Sequence, residues 1–167
     1  VKGLVAMGQG RYGDALEPFH ESLAICRRLG LSWQLATSHL NLGASLLLAG
    51  SPEDAEATFE EGLRLYRELG DDIFAAYMTT AIAQAALARD DIERADGLAR
   101  SALAAFAEHA ERQGIAQGLE TLAAVAAALV GTENPLAREP GRRQRMQGRL
   151  VARIDQRVDP PQSAPLE

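Results

Sequence analysis

The chain has 167 residues, of which 24% are charged and 5% aromatic, with one cysteine and a formal net charge of −6. That length can bury a core as one domain, and the shortage of aromatic residues argues against a sheet-based core. The single Cys26 excludes an internal disulfide and a cysteine metal cluster, and the acidic balance weighs against a nucleic-acid surface over most of the chain. A lone thiol suits a reducing compartment, so the expected location is cytoplasmic. No secretory leader opens the sequence. No apolar run is read as approaching the roughly 20 residues of a membrane span.

Helical spacing of apolar residues predicts elements over 1–8, 13–29, 32–49, 53–69, 72–89, 92–110, 114–130 and 141–157. The first starts in mid-pattern at Val1, so the sequence reads as part of a longer protein. The second contains Pro18, which removes one intrahelical bond and is expected to bend or delay its first turns. Between the third and fourth lies "AGSPED". There Gly50 suits a helix end, Ser51 an N-cap and Pro52 the first helical position, followed by acids that complement the dipole. In the fourth, Ala55, Phe59, Leu63, Tyr66 and Leu69 share one face. "LGDD" at 69–72 ends it and starts the fifth. The last predicted helix carries an apolar stripe, Met146, Leu150, Ile154 and Val158, beside an arginine stripe, Arg145, Arg149, Arg153 and Arg157. Residues 159–167 read as a flexible tail, with Leu166-Glu167 a tag remnant.

The sequence repeats every 40 residues without a gap. Gly3 falls on Gly43 and Ala83; Asp14-Ala15 on Asp54-Ala55 and Arg94-Ala95; Phe19 on Phe59 and Ala99; Cys26 on Tyr66 and Phe106. "ICRRLG" (25–30) falls on "LYRELG" (65–70) and more weakly on "AFAEHA" (105–110). Each unit is a helical hairpin. Glycine inside a helix costs about 1 kcal/mol relative to alanine, so its return at residues 3 and 43 predicts a place where the second helix of the hairpin comes close. Phe59 and Leu63 are expected to cross there.

"NLG" at 41–43, Ala55, Phe59 and the small Gly62 resemble the signature of the tetratricopeptide repeat. The long unit with its "RELGDD" joint is similar to repeats of Pins/LGN-like adaptors and of the C-terminal regions of large bacterial transcriptional regulators. The resemblance implies an all-α, right-handed superhelical stack of antiparallel helix hairpins, with about 3 to 3.5 repeats plus a C-terminal helix. Units are expected near 1–31, 32–71, 72–112 and, in part, 113–131. A basic amphipathic capping helix follows within 132–158. Unit three departs from the pattern at Asp90, Arg94 and Ala99.

No catalytic motif is present: no phosphate loop, HExxH helix or GxSxG elbow. His20, His39 and His109 are spread along the repeats, and no metal site, cofactor or enzymatic activity is expected. His109 holds the position of Leu29 and Leu69 and is expected to pack half-buried. Cys26 is expected to be a buried, inert thiol. The arginine stripe reads first as the solvated face of a cap, with contact to nucleic acid or to the acidic body of a partner the less favoured alternative.

The resemblance places the partner surface on the first helices of the hairpins. Its candidate residues are Thr37, Leu40, Asn41 and Ala44 in unit two, Tyr77, Thr80 and Gln84 in unit three, and Gln117, Glu120 and Thr121 in unit four. They include neither lysine nor arginine, so a neutral, partly apolar groove for a protein or peptide is implied. Another domain of the same chain is one such partner. The expected role is a non-catalytic interaction module of a bacterial signalling or transcriptional regulator. Two alternatives stand beside it: a domain that senses a small-molecule inducer, and a spacer or homodimerisation unit.

Overall fold

The computed structural model describes residues 2–133 as seven helices. They are α1 (Lys2–Gly8), α2 (Tyr12–Leu29), α3 (Ser32–Leu48), α4 (Pro52–Glu68), α5 (Asp72–Ala88), α6 (Ile92–Glu108) and α7 (Arg112–Glu133). The expected helix over 141–157 and the tail lie outside the described residues. Each helix packs on the next in the chain, and α5 also touches α3 and α7. The described part is an all-α stack of antiparallel hairpins, α1–α2, α3–α4 and α5–α6, closed by the single helix α7.

One backbone device sets the period. Six residues have positive φ: Gly10, Gly30, Gly50, Gly70, Asp90 and Ala110, spaced 20 apart. At each, the next amide N–H reaches back across the helix end, from Arg11 to Ala6 O, Leu31 to Cys26 O, Ser51 to Leu46 O, Asp71 to Tyr66 O, Asp91 to Ala86 O and Glu111 to Phe106 O, at 2.8–3.0 Å. These bonds satisfy carbonyls that a helix end otherwise leaves open. Asp71 and Asp91 then cap the following helices, accepting from Phe74 N (3.1 Å) and Arg94 N (3.3 Å). Ser51 holds the expected N-cap position, but its side chain makes no capping bond. Pro18 lies inside α2, which runs through it from Tyr12. At Ala110 a Cβ is held at φ 52°, a conformation that costs about 1 kcal/mol or more without glycine. Ala110→Gly is expected to raise stability by about 1 kcal/mol in urea unfolding; an unchanged midpoint would show the joint to be unstrained.

The glycines inside helices mark close approaches. A Cβ at Gly3 would lie 2.8 Å from Phe19 Cε1, and one at Gly43 would lie 2.6 Å from Phe59 Cδ1. Each phenyl ring lies on the glycine of its own hairpin partner. In unit three both sides shrink to Ala83 and Ala99, both fully buried. Tyr66 and Phe106 are fully buried in one repeating position, with Cys26 beside them in the series at 8% exposure.

The departures of unit three have a physical cause. Arg94 stands where the other units have Asp14 and Asp54, and it reaches back to Glu56 (2.5 Å) and Glu60 (3.1 Å) on α4. Arg89 joins from the end of α5, 2.5 Å from Glu56 and 3.4 Å from Glu53. The Glu56 side chain is only 5% exposed, and this arginine pair compensates its buried charge.

Two expectations need correction. His109 is exposed and ends α6, as the equivalent Leu29 and Leu69 are exposed at their own helix ends. The stretch Arg112–Gly131 is long and apolar enough, by length and composition, to cross a membrane. Its alanines supply apolarity that a search for large aliphatic runs passes over. In the stack it packs against α6 and α5 as the first helix of unit four.

Candidate functional site

On each first helix, one face meets the second helix of the hairpin through Gly3, Gly43 or Ala83. Another face is left over. On α3 it carries Thr37, Leu40, Asn41 and Ala44; on α5, Tyr77 and Gln84; on α7, Gln117 and Glu120; all are half-buried. Thr80 (0% exposed) and Thr121 (2%) also belong to the sequence-derived set, but both lie inside the stack. Each hydroxyl donates to the carbonyl one turn back in its own helix, Ala76 O and Gln117 O, both at 3.0 Å. A threonine satisfied in this way can be buried without a partner from outside. Gln84 lies over Thr121, with Nε2 donating to Oγ1 at 3.4 Å.

The other side chains divide by how much of their chemistry is already used. Thr37 donates to Trp33 O (3.1 Å), so it accepts from the Tyr66 hydroxyl, 2.8 Å away. Burial raises the Tyr66 pKa, and the nearby Asp71 charge adds to the rise. Leu40 and Ala44 pack against the core cluster beneath them. Tyr77 packs its ring on Phe106 (centroids 4.7 Å apart) and Phe74 (5.8 Å) and donates to Glu111 Oε1 at 3.3 Å. Burial, and then the neighbouring Glu111 charge, push its pKa up to about 12, so the phenol keeps its proton near neutrality. The Asn41 side-chain amide makes no hydrogen bond among the described residues, while its backbone carbonyl accepts from Ser45 Oγ.

An aromatic row runs beside this face and was missed by the repeat analysis. Trp33, Tyr66, Phe74, Tyr77 and Phe106 follow one another with centroids 4.7–6.2 Å apart. Trp33 is 42% exposed, and its indole N–H donates to Asp71 Oδ2 at 3.3 Å. Trp33 and Phe74 have no aromatic counterparts at the 40-residue offset, so the repeat does not reveal them. The signal available was the pair of aromatics at the starts of the predicted helices.

On the side of the second helices, a cleft of about 400 Å³ opens between α2 and α4, lined by Arg27, Thr58, Glu61 and His39 among others. His39 is 7% exposed, and neither ring nitrogen has a hydrogen-bond partner among the described residues. Burial lowers its pKa; Glu61 opposes this, while Arg27 and Arg64 add to it. The hydrogen bond from Arg64 holds the Glu61 pKa below its ordinary value. Because the folded pKa of His39 is depressed, its contribution to stability is complete above the unfolded value of about 6.5. That contribution is lost as pH falls from there toward the folded pKa. His39→Leu is expected to raise stability at pH 7 by about 1–3 kcal/mol, by removing unbonded buried nitrogens. It should also flatten the decline in thermal stability between about pH 6.5 and 5. A lower midpoint with an unchanged pH profile would show that the ring is hydrogen-bonded.

Among the described residues, no three histidine, cysteine, aspartate or glutamate side chains converge as a metal site. A family model of the tetratricopeptide repeat matches residues 2–68, from the start of α1 to the end of α4. No curated protein sequence matches the chain.

Proposed function

We propose that this chain binds a protein or peptide segment along the leftover face of α3, α5 and α7, since a model of the tetratricopeptide repeat, a family whose members generally bind proteins or peptides, matches residues 2–68. The observation that carries this reading is the chemistry of that face. It holds three primary amides, Asn41, Gln84 and Gln117, beside the apolar Leu40 and Ala44, with no lysine or arginine among the candidates. The Asn41 amide is open to a ligand. A neutral helix or extended peptide, anchored by apolar side chains and hydrogen-bonded by Asn41 and Gln84, suits such a surface. A strongly acidic peptide lacks the cationic partners it needs there.

The wider role proposed is that of an interaction module within a bacterial cytoplasmic signalling or transcriptional regulator, taking a partner protein or another domain of its own chain. The long repeat unit and its joints support that reading by resemblance.

The test uses peptides selected from a random displayed library on the whole chain. Asn41→Ala combined with Gln84→Ala removes two hydrogen-bonding groups of that face, the second of them also bonded to Thr121, and is expected to weaken the selected peptides about tenfold or more. Tyr77→Ala is a poorer probe, because that ring also packs on Phe106. Unchanged affinity in a folded double variant would overturn the assignment.

A further inference from the structure

Among the described residues, the buried side-chain nitrogens and oxygens that lack a partner are the two of one ring, His39, which lines the cleft between α2 and α4. An unbonded buried polar group lowers stability, and the repeat does not require one here. At the next joint, between α4 and α6, Thr79 holds the position of His39, and its hydroxyl donates to Ala75 O at 2.9 Å. Leu98 holds the position of Thr58 and packs against the core, and Arg64 holds that of Ala24. The smaller Ala24 and Thr58 leave open the cleft of about 400 Å³, a volume within the range of small-molecule sites. An orphaned ring in such a space calls for a group that bonds it.

The lining says which chemistry that group has. Leu23 and Leu42 are buried, and Ala57 is exposed on the α4 wall; these three give the cleft apolar surface. Two full charges stand at its walls, Arg27 on α2 and Glu61 on α4. Glu61 accepts from Arg64 Nη2 at 2.6 Å and Nε at 3.2 Å, so its charge is already met. The Arg27 side chain enters no ion pair among the described residues, and it is near enough to act on the His39 ring. The unanswered charge at the cleft is therefore positive. It stands beside an imidazole that burial keeps neutral, with one N–H to donate.

We propose that this cleft binds a small monocarboxylic acid with an apolar body, its carboxylate held by Arg27 and the His39 N–H and its body lying on Leu23, Leu42 and Ala57. A guanidinium fork matches the two oxygens of a carboxylate. A half-turn of the imidazole about Cβ–Cγ exchanges Nδ1 with Cδ2 and Nε2 with Cε1 within the same outline, so the edge of the ring at the cleft carries a nitrogen without repacking. Glu61 on the opposite wall disfavours a second negative charge, which selects a monoanion over a dicarboxylate or a phosphate. The site is separate from the peptide surface of α3, α5 and α7, and neither depends on the other.

Titration of the whole chain with phenylacetate, followed by amide chemical shifts, tests this, with phenylacetamide as the neutral counterpart of the same shape. Phenylacetate is expected to give saturable shifts at Ala24, Leu42, Thr58 and Glu61, and phenylacetamide to bind about tenfold more weakly or worse. Arg27→Met, at an exposed position, should weaken phenylacetate about tenfold or more. His39→Thr, which installs the residue of the next joint, should weaken it about fivefold or more, and the amide spectrum reports that each variant is folded. No saturable shift up to about 10 mM phenylacetate would overturn the proposal. Equal affinity for acid and amide, unchanged affinity in either folded variant, or shifts centred on Asn41 and Gln84 would overturn it as well.

Discussion

Gly43→Leu is expected to lower the stability of this chain by about 3 kcal/mol, the upper part of the range for overpacking. The first added carbon already falls 2.6 Å from Phe59 Cδ1, and Phe59 is 1% exposed in the core. The isobutyl group must push α4 away from α3 along the hairpin. Ala57→Leu places the same side chain on an exposed position of α4 and should shift stability by less than about 0.5 kcal/mol. Urea unfolding of the two variants checks the contrast. Equal shifts would mean that the 40-residue repeat does not align helix contacts as described.

Removing Arg89 and Arg94 together should cost about 2 kcal/mol. Three carboxylates of α4, Glu53, Glu56 and Glu60, share these two guanidinium groups. Without them Glu56 remains a buried charge with two acidic neighbours. The figure lies below that for a fully buried pair, because the arginine side chains are 36% and 42% exposed and water already screens them. Adding Glu56→Leu to the double alanine variant should recover most of the loss, since the cost lies in the unpaired charge rather than in missing attraction. A triple variant less stable than the double would show that Glu56 is held by packing instead.

The repeat was legible because packing and backbone geometry both wrote themselves into residue types. Gly10, Gly30, Gly50 and Gly70 mark positive φ in the sequence; Asp90 and Ala110 continue the series in the structure alone. Aspartate enters the left-handed conformation more readily than most residues, but Ala110 is carried into it by the helices on either side, which no local preference announces. Arg94 read as a loss of pattern because its partners, Glu56 and Glu60, lie one unit back on a neighbouring helix.

The candidate face was legible in part, for a related reason. Periodicity finds which side of a helix is apolar, but not whether neighbours stand on both of its flanks. α5 lies between α3 and α7, so Thr80 is buried at a repeating position where Leu40 stays half-buried. The buried imidazole of His39 was equally hidden, since its unbonded nitrogens depend on what α2 and α4 place around it.

The central claim is that the leftover face of the first helices is the binding surface. Amide chemical-shift mapping of the whole chain with a library-selected peptide addresses it directly. The account predicts that the largest shifts cluster at Thr37, Asn41, Ala44, Tyr77, Gln84 and Gln117, on α3, α5 and α7. Shifts confined to α2, α4 and α6, around the cleft at His39, would contradict it and move the binding surface to the opposite side of the stack.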